Sequence, residues 1–225
     1  MKVAVVTPVY GNAPTLDELA RRVASALDQV DVSWTLRFVV DASPDDSLAV
    51  AHGLAVADSR LSVTTLTANV GQNRALLAGL AVAPEGGADA WVCLDADLQD
   101  PPEAVPTLLA RLAEGDAGVV FAGRRGAYES RSRLLTGTVH RAAMARLTGV
   151  PRDAGAFLAL DRPSRDTLLT LSPPSIVAGI GAARIRAASV PVVRSPRPSG
   201  HSAWTSTARL RQSGRALAWA WRART

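Results

Sequence analysis

Two carboxylates, two residues apart, stand at the end of an apolar run in Trp91-Val-Cys-Leu-Asp-Ala-Asp-Leu-Gln-Asp-Pro-Pro-Glu103. The run from Ala90 to Leu94 is short and rich in large side chains, as in a buried strand. In extended backbone, residues i and i+2 face the same way, so Asp95 and Asp97 can converge on one point, and Gln99 continues the alternation. Two carboxylates and an amide oxygen are hard donors, suited to Mg²⁺ or Mn²⁺ carrying a substrate diphosphate. Pro102 and Glu103 suit the first turn of a following helix. A lone Asp-x-Asp after a strand is also the make-up of a solvated loop, so the surrounding elements decide its weight.

Those elements follow a clear alternation. Val3 to Thr7 is a β-branched run and a first strand, with Pro8-Val-Tyr-Gly-Asn12 as the turn after it. Thr15-Leu-Asp-Glu18 has the form of a capping box, and Leu16, Leu19, Val23, Ala26 and Leu27 form a helical stripe. Thr35 to Val40 is a second strand, ended by Asp41-Ala-Ser-Pro-Asp-Asp-Ser47, which caps a helix through Leu54. Leu61 to Leu66 is a third strand. Asn69-Val-Gly71 is a turn, and Gln72 to Val82 a helix broken by Gly86-Gly87 before the strand at Ala90. The order β-α-β-α-β-α-β implies an α/β fold with a mostly parallel sheet flanked by helices. Ligands then bind at the carboxyl ends of the strands. Thr7 to Asn12, Asp41 to Asp46 and Asp95 to Asp100 all fall at such ends. Neither G-x-G-x-x-G nor the G-x-x-x-x-G-K-[ST] phosphate loop is present, so a bound nucleotide depends on a cation to neutralise its phosphates.

Composition bounds the answer. The chain has 225 residues, 48% of them hydrophobic and 20% charged, enough to fill a core in one domain of ordinary size. Its single cysteine, Cys93, lies inside the apolar run and reads as a small buried hydrophobe. No disulfide framework can form, no signal peptide is visible, and no stretch approaches the ~20 apolar residues of a membrane span. The expectation is a cytoplasmic protein, peripheral to a membrane at most. The net charge of +5 hides an asymmetry. Residues 1–115 carry 7 basic and 15 acidic side chains, and residues 116–225 carry 18 and 5. An acidic half suited to a cation precedes a basic half suited to phosphates or an anionic surface. Few aromatic platforms precede Trp204 and no nucleic-acid module is recognisable, so nucleic acid is not the expected partner.

After Leu112 the elements shorten. Ala117 to Phe121 is a strand ended by Ala122-Gly-Arg-Arg125. A helix from Ser132 to Leu147, a short strand from Phe157 to Leu160 and a helix from Ser164 to Leu171 follow. Pro173-Pro174 breaks the chain, and Ile185 to Val193 reads as a strand. Ser195 to Ser202 is a Pro/Ser/Gly loop, and Thr205 to Ala223 a basic helix with Trp219 and Trp221. The expected division is a catalytic domain over 1–204 and a basic amphipathic helix over 205–225, either docked on the domain or lying in an anionic membrane interface.

Taken in order, these motifs resemble a known family. Val6-Thr-Pro-Val-Tyr10, Asp41-Ala-Ser-Pro-Asp45, Asn69-Val-Gly-Gln72, Asp95-Ala-Asp-Leu-Gln-Asp-Pro-Pro-Glu103, Gly123-Arg-Arg125, Asp153-Ala-Gly155 and Arg197-Pro-Ser-Gly-His-Ser202 are similar to those of family 2 glycosyltransferases with the GT-A fold. The nearest branch is that of dolichol-phosphate mannose synthase and the bacterial polyprenyl-phosphate glycosyltransferases. The resemblance covers about residues 2–204. It implies that Pro8 and Tyr10 sit against the base of a UDP- or GDP-sugar, with Asp41 on the base's polar edge. It implies that Asp95 contacts donor and metal, and that Asp97 and Gln99 coordinate Mg²⁺ or Mn²⁺. Arg124 and Arg131 would meet phosphates of donor or acceptor, and Arg197 and Ser202 would lie on a loop closing over the diphosphate.

The implied reaction is an inverting, metal-dependent transfer of a sugar to a polyprenyl phosphate. A phosphate acceptor is already ionised and needs no base, whereas a hydroxyl acceptor needs a carboxylate, for which Asp153 is the candidate. The chain departs from the family on the acceptor side. Gly-Asp-Phe-Arg reads Gly155-Ala-Phe-Leu158, Ser-Lys-Tyr reads Ser202-Ala-Trp204, and the branch's C-terminal transmembrane helices have no counterpart. Alternatives are therefore a soluble small-molecule acceptor with the same donor chemistry, or a degenerate, non-catalytic binding subunit.

Overall fold

The computed structural model describes residues 1–125, 146, 149–195, 218, 219 and 222. Its strands are β1 (Lys2–Val9), β2 (Ser33–Asp41), β3 (Leu61–Leu66), β4 (Ala90–Cys93), β5 (Val119–Arg125), β6 (Leu158–Asp161) and β7 (Ala187–Val193). Its helices are α1 (Leu16–Leu27), α2 (Ser47–Ala57), α3 (Gln72–Ala81), α4 (Val105–Ala113), α5 (Arg162–Leu171) and α6 (Ile176–Ala182). Two 3₁₀ turns, Ala13–Thr15 and Pro102–Ala104, lead into α1 and α4. One seven-stranded sheet runs β3-β2-β1-β4-β6-β5-β7. All its pairings are parallel except those of β6, which is antiparallel to both β4 and β5.

The sheet is apolar on both faces, which is why β1 reads as a continuous run rather than an alternation. On one face Leu16, Leu19, Val23 and Leu27 of α1 and Val105, Leu108 and Leu112 of α4 pack against Val3, Val5, Leu36 and Phe38. On the other, Leu76 and Leu80 of α3, Leu168 of α5 and Ile176 and Ile180 of α6 pack against Val6, Trp91, Phe121 and Leu158. Helix α3 approaches the sheet through Gly79, where a Cβ would collide with the side chains of Val6 and Val39. Cys93 is fully buried, and that burial, with the charge of Asp95, pushes its thiol up to about 12.

Three details differ from the sequence reading. Strand β1 runs on to Val9, so Pro8 pairs with Val39 inside the strand and the turn begins at Tyr10. Val6 accepts from the Leu94 amide across β4; by alternation Pro8 turns its nitrogen the same way, where β4 has already ended. The proline therefore leaves no ladder bond unmade. Thr15 does not form the expected capping box: its hydroxyl donates instead to the carbonyl of Ala96, at 2.6 Å, while Glu18 pairs with Arg21. Helix α6 has no counterpart in the sequence reading, because β-branched residues and two glycines in seven positions give no helical pattern. Most of the expected helix over 132–147 lies outside the described residues, as does most of 205–225; Arg146, Ala218, Trp219 and Arg222 are helical. Among the described residues, no helix is long and apolar enough to cross a membrane.

Candidate active site

The strand pairings carry the singled-out residues to one edge of the sheet. Parallel pairing puts the carboxyl ends of β1, β2 and β4 side by side, delivering Tyr10, Asp41 and Asp95 together. Because β6 runs the other way, its beginning meets the ends of β4 and β5, so the loop bearing Asp153 arrives at the same edge. Strand β7 is parallel to β5 and pairs Val193 with Arg125, which brings Arg194 there as well.

The acidic stretch is a turn, not an extended strand. Strand β4 ends at Cys93, where its neighbours β1 and β6 stop pairing, and Leu98 adopts a left-handed conformation at φ 59°. The alternation expected for Asp95, Asp97 and Gln99 therefore does not operate; the turn itself disposes them. Asp97 Oδ1 accepts from the Gln99 amide at 3.1 Å, and Asp97 is only 9% exposed. A non-glycine residue in this region costs on the order of 1 kcal/mol and persists where its surroundings over-determine it. Here three elements grip the turn: the start of α3, the start of α1 and the segment that follows β7. Gln72, the first residue of α3, donates to Asp95 Oδ1 at 2.5 Å. Thr15 binds the Ala96 carbonyl, and the Ser195 amide donates to the Gln99 carbonyl at 2.9 Å. Arg194 grips Asp100 with both prongs, at 2.5 and 2.9 Å, both side chains being buried.

Burial lowers the pKa of the Arg194 guanidinium, but Asp100 and then Asp95 and Asp97 outweigh it, leaving the net shift upward. The cation thus lies within the field of all three carboxylates. Glu103, next along, is taken up by the fork of Arg22, with both contacts at 2.7 Å.

Asp41 is 3% exposed, and its two oxygens accept the amides of Val70 and Gly71 at 2.7 and 2.8 Å. It therefore fixes the Asn69–Gly71 loop from which α3 and Gln72 start. Its neighbour Ala42 is also left-handed, at φ 48°. Asp45 organises the adjoining loops: it accepts from the Ser43 hydroxyl and from the Ala13 and Ser47 amides, while Ser43 accepts from Gly11 and Ser47 from Asn12. Partial burial pushes the Asp45 carboxyl up, and the hydrogen bonds from Ser43, Ser47 and Ala13 more than offset this, leaving it at about 2. Pro8 is buried, whereas Tyr10 is 41% exposed at the mouth of the site.

Asp153 accepts from the Ser189 hydroxyl at 2.9 Å and stands against Gly123, where a Cβ would strike both side chains. The Gly123-Arg-Arg125 end of β5 is thus fitted under Asp153. The backbone of Arg124 lies in β5, paired with Val192. Arg131, Arg197 and Ser202 lie outside the described residues. Gln72, Arg194, Thr15 and Asp45 build the site, and the sequence reading did not count them among its candidate site residues. For Gln72 the signal was its place in Asn69-Val-Gly-Gln72; for Arg194 no local signal exists, since its partner is 94 positions away.

Among the described residues, no three His, Cys, Asp or Glu side chains gather as a self-sufficient metal site. The donors that fit a hard cation are Asp95, Asp97 and the Gln99 side-chain oxygen, all oxygen atoms. So short a set suits Mg²⁺ or Mn²⁺, which keep water and substrate phosphate as further ligands.

The chain matches the profile of Glycosyl transferase family 2 over residues 4–157. It is 34% identical over 211 residues to an undecaprenyl-phosphate 4-deoxy-4-formamido-L-arabinose transferase from Salmonella choleraesuis, covering 91% of this chain. It spans 63% of the length of that relative. Among solved structures it superposes on mannosyl-3-phosphoglycerate synthase from Rubrobacter xylanophilus with a TM-score of 0.72 and 17% identity, covering 100% of this chain and 74% of the other. With glucosyl-3-phosphoglycerate synthase from Mycobacterium tuberculosis, in complex with Mn²⁺, UDP and glucosyl-3-phosphoglycerate, the TM-score is 0.69 at 20% identity, covering 99% and 79%. These likenesses confirm the GT-A architecture expected from the motif order. On the extent of the family match, which takes in more than half of its residues, the chain belongs to glycosyl transferase family 2.

Proposed function

We propose that this protein is an inverting glycosyltransferase that moves a sugar from a UDP- or GDP-sugar to a polyprenyl phosphate. The observation that carries the reading is the acidic turn Asp95–Asp100, held from three sides beside the Asp41 loop, in a chain 34% identical to an undecaprenyl-phosphate sugar transferase. A bound Mg²⁺ or Mn²⁺ would supply Lewis-acid stabilisation of the charge that grows on the departing diphosphate. Asp95, Asp97 and Gln99 would hold it. Tyr10 and Pro8 would sit against the base and Asp41 at its polar edge, with both Asp41 oxygens also taking the Val70 and Gly71 amides. Arg124, Arg131, Arg197 and Ser202 would clamp phosphates, fixed cations and donors of the kind that act where charge develops. An ionised phosphate acceptor attacks the anomeric carbon from the face opposite the diphosphate without a base. Asp153, bonded to Ser189, becomes the base only if the acceptor is a hydroxyl.

A transfer assay read by mass spectrometry tests this. It offers UDP- and GDP-sugars, Mg²⁺ or Mn²⁺, and a short-chain polyprenyl phosphate. A sugar-phospholipid that disappears in Asp97→Ala is the expected result. Donor hydrolysis without lipid product would replace the acceptor by a soluble molecule. No turnover of any donor would leave a binding subunit.

The same reading places the protein on a membrane face, with residues 205–225 as a separate basic helix that supplies contact. Trp219 lines a groove of about 790 Å³ with Arg74, Leu77, Pro173, Pro174 and Arg222, so part of this segment rests on the domain. Binding to anionic vesicles that is lost on removing residues 205–225 supports the membrane role, and equal sedimentation of both forms refutes it.

A further inference from the structure

Three carboxylates, Asp95, Asp97 and Asp100, lie within six positions of one turn that also contains a left-handed leucine. Left alone, such a turn would splay, because like charges repel and the backbone is strained. One guanidinium stands among them. Arg194 follows directly on β7, the edge strand of the sheet, and reaches Asp100 across 94 positions of sequence. Its side chain is 6% exposed and that of Asp100 2%, so the pair is shut off from solvent and weakly screened. Both prongs of the fork are used, and the next amide, Ser195, binds the carbonyl of Gln99. Residues 194–195 and 99–100 thus form a two-point joint between the acidic turn and the last strand.

We propose that Arg194 is a positioning residue for the donor site: by clamping Asp100 it holds Asp95, Asp97 and Gln99 in the arrangement that receives the cation and the nucleotide sugar. The inference rests on the metal-dependent donor reading given above. It goes beyond that reading in assigning a site role to a residue outside the acidic motif. Because a planar fork meets both Asp100 oxygens at once, lysine replaces it only in part. The joint also makes the end of β7 and the acidic turn one mechanical unit.

The test uses the full chain, with variants Arg194→Gln and Arg194→Lys. It has two readouts, taken at a temperature where each variant is folded by circular dichroism. The first is amide hydrogen exchange of the segment 95–100, with β1 as internal reference. The second is Mn²⁺ affinity by electron paramagnetic resonance, without donor. In Arg194→Gln, exchange in 95–100 is expected to rise at least tenfold while β1 is unchanged, and Mn²⁺ affinity to fall about tenfold. Arg194→Lys, which retains the charge, is expected to lie between that variant and the wild type, and it serves as the test protein if Arg194→Gln does not fold. Faster exchange with unchanged Mn²⁺ affinity overturns the proposal, since the pair would then hold the fold and not the site. Unchanged exchange overturns it outright. If the wild-type protein itself binds no Mn²⁺, the metal-dependent reading fails, and the exchange measurement alone decides whether Arg194 orders the turn.

Discussion

Gln72 donates its side-chain amide to Asp95 Oδ1 at 2.5 Å, so the first residue of α3 holds the first carboxylate of the acidic turn. Neither residue is placed by its own sequence neighbours. Gln72 starts a helix whose seat on the sheet is fixed by Gly79 against Val6 and Val39, and Asp95 follows a strand that ends where its partners end. Replacing Gln72 by Leu removes one hydrogen bond to a charged group, worth about 1.5–3 kcal/mol. The donor KM is expected to rise about tenfold or more, with a small change in Tm. A Tm loss of many degrees at unchanged KM would show that the contact supports the fold alone.

Asp41 fixes the preceding loop with two charge-assisted bonds to Val70 and Gly71. In Asp41→Asn an amide N–H₂ must face one backbone N–H, leaving a buried donor unpaired at a cost of about 1–3 kcal/mol. Thermal unfolding should move down by several degrees, and donor affinity should fall with it, because Gln72 begins where that loop ends. Asp41→Glu, one methylene longer, should not restore both.

The Asp45 carboxyl sits at about 2, below its ordinary 3.8. As pH falls the unfolded chain takes up this proton first, so the stabilisation is fully present above about pH 4 and is lost between there and about pH 2. The group is largely exposed, so solvent screening reduces its worth to about 1 kcal/mol. Asp45→Asn should therefore be less stable than wild type at pH 7 by about that amount. The two should converge below pH 2 in denaturant titrations. A gap that persists at pH 2 would assign the effect to lost packing.

Gly123 leaves room for Asp153 and Ser189. Gly123→Ala forces both side chains aside, at a cost of about 1–3 kcal/mol. The double variant Gly123→Ala/Asp153→Ala should recover part of that loss, which a double-mutant cycle in chemical denaturation measures. Additive losses would mean that the added methyl is accommodated without moving Asp153.

The sequence by itself determined the elements whose pattern is local. Strand β3 has the expected bounds Leu61–Leu66 and α3 the expected start at Gln72, because β-branched runs and the Gly71 turn act within a few residues. The motif order determined the family, and Asp95-Ala-Asp-Leu-Gln marked the acidic end of β4. What the sequence could not contain is who meets whom across the sheet. The antiparallel insertion of β6 between β4 and β5 decides that Asp153 reaches Gly123 and that β7 brings Arg194 to Asp100. Thr15 carries the letters of a helix cap, but folding puts the Ala96 carbonyl within reach and its hydroxyl goes there. Propensity and periodicity act over a few residues, whereas these bonds close 81 and 94 positions of chain. Only the packed sheet supplies the burial that makes such distant partners pair.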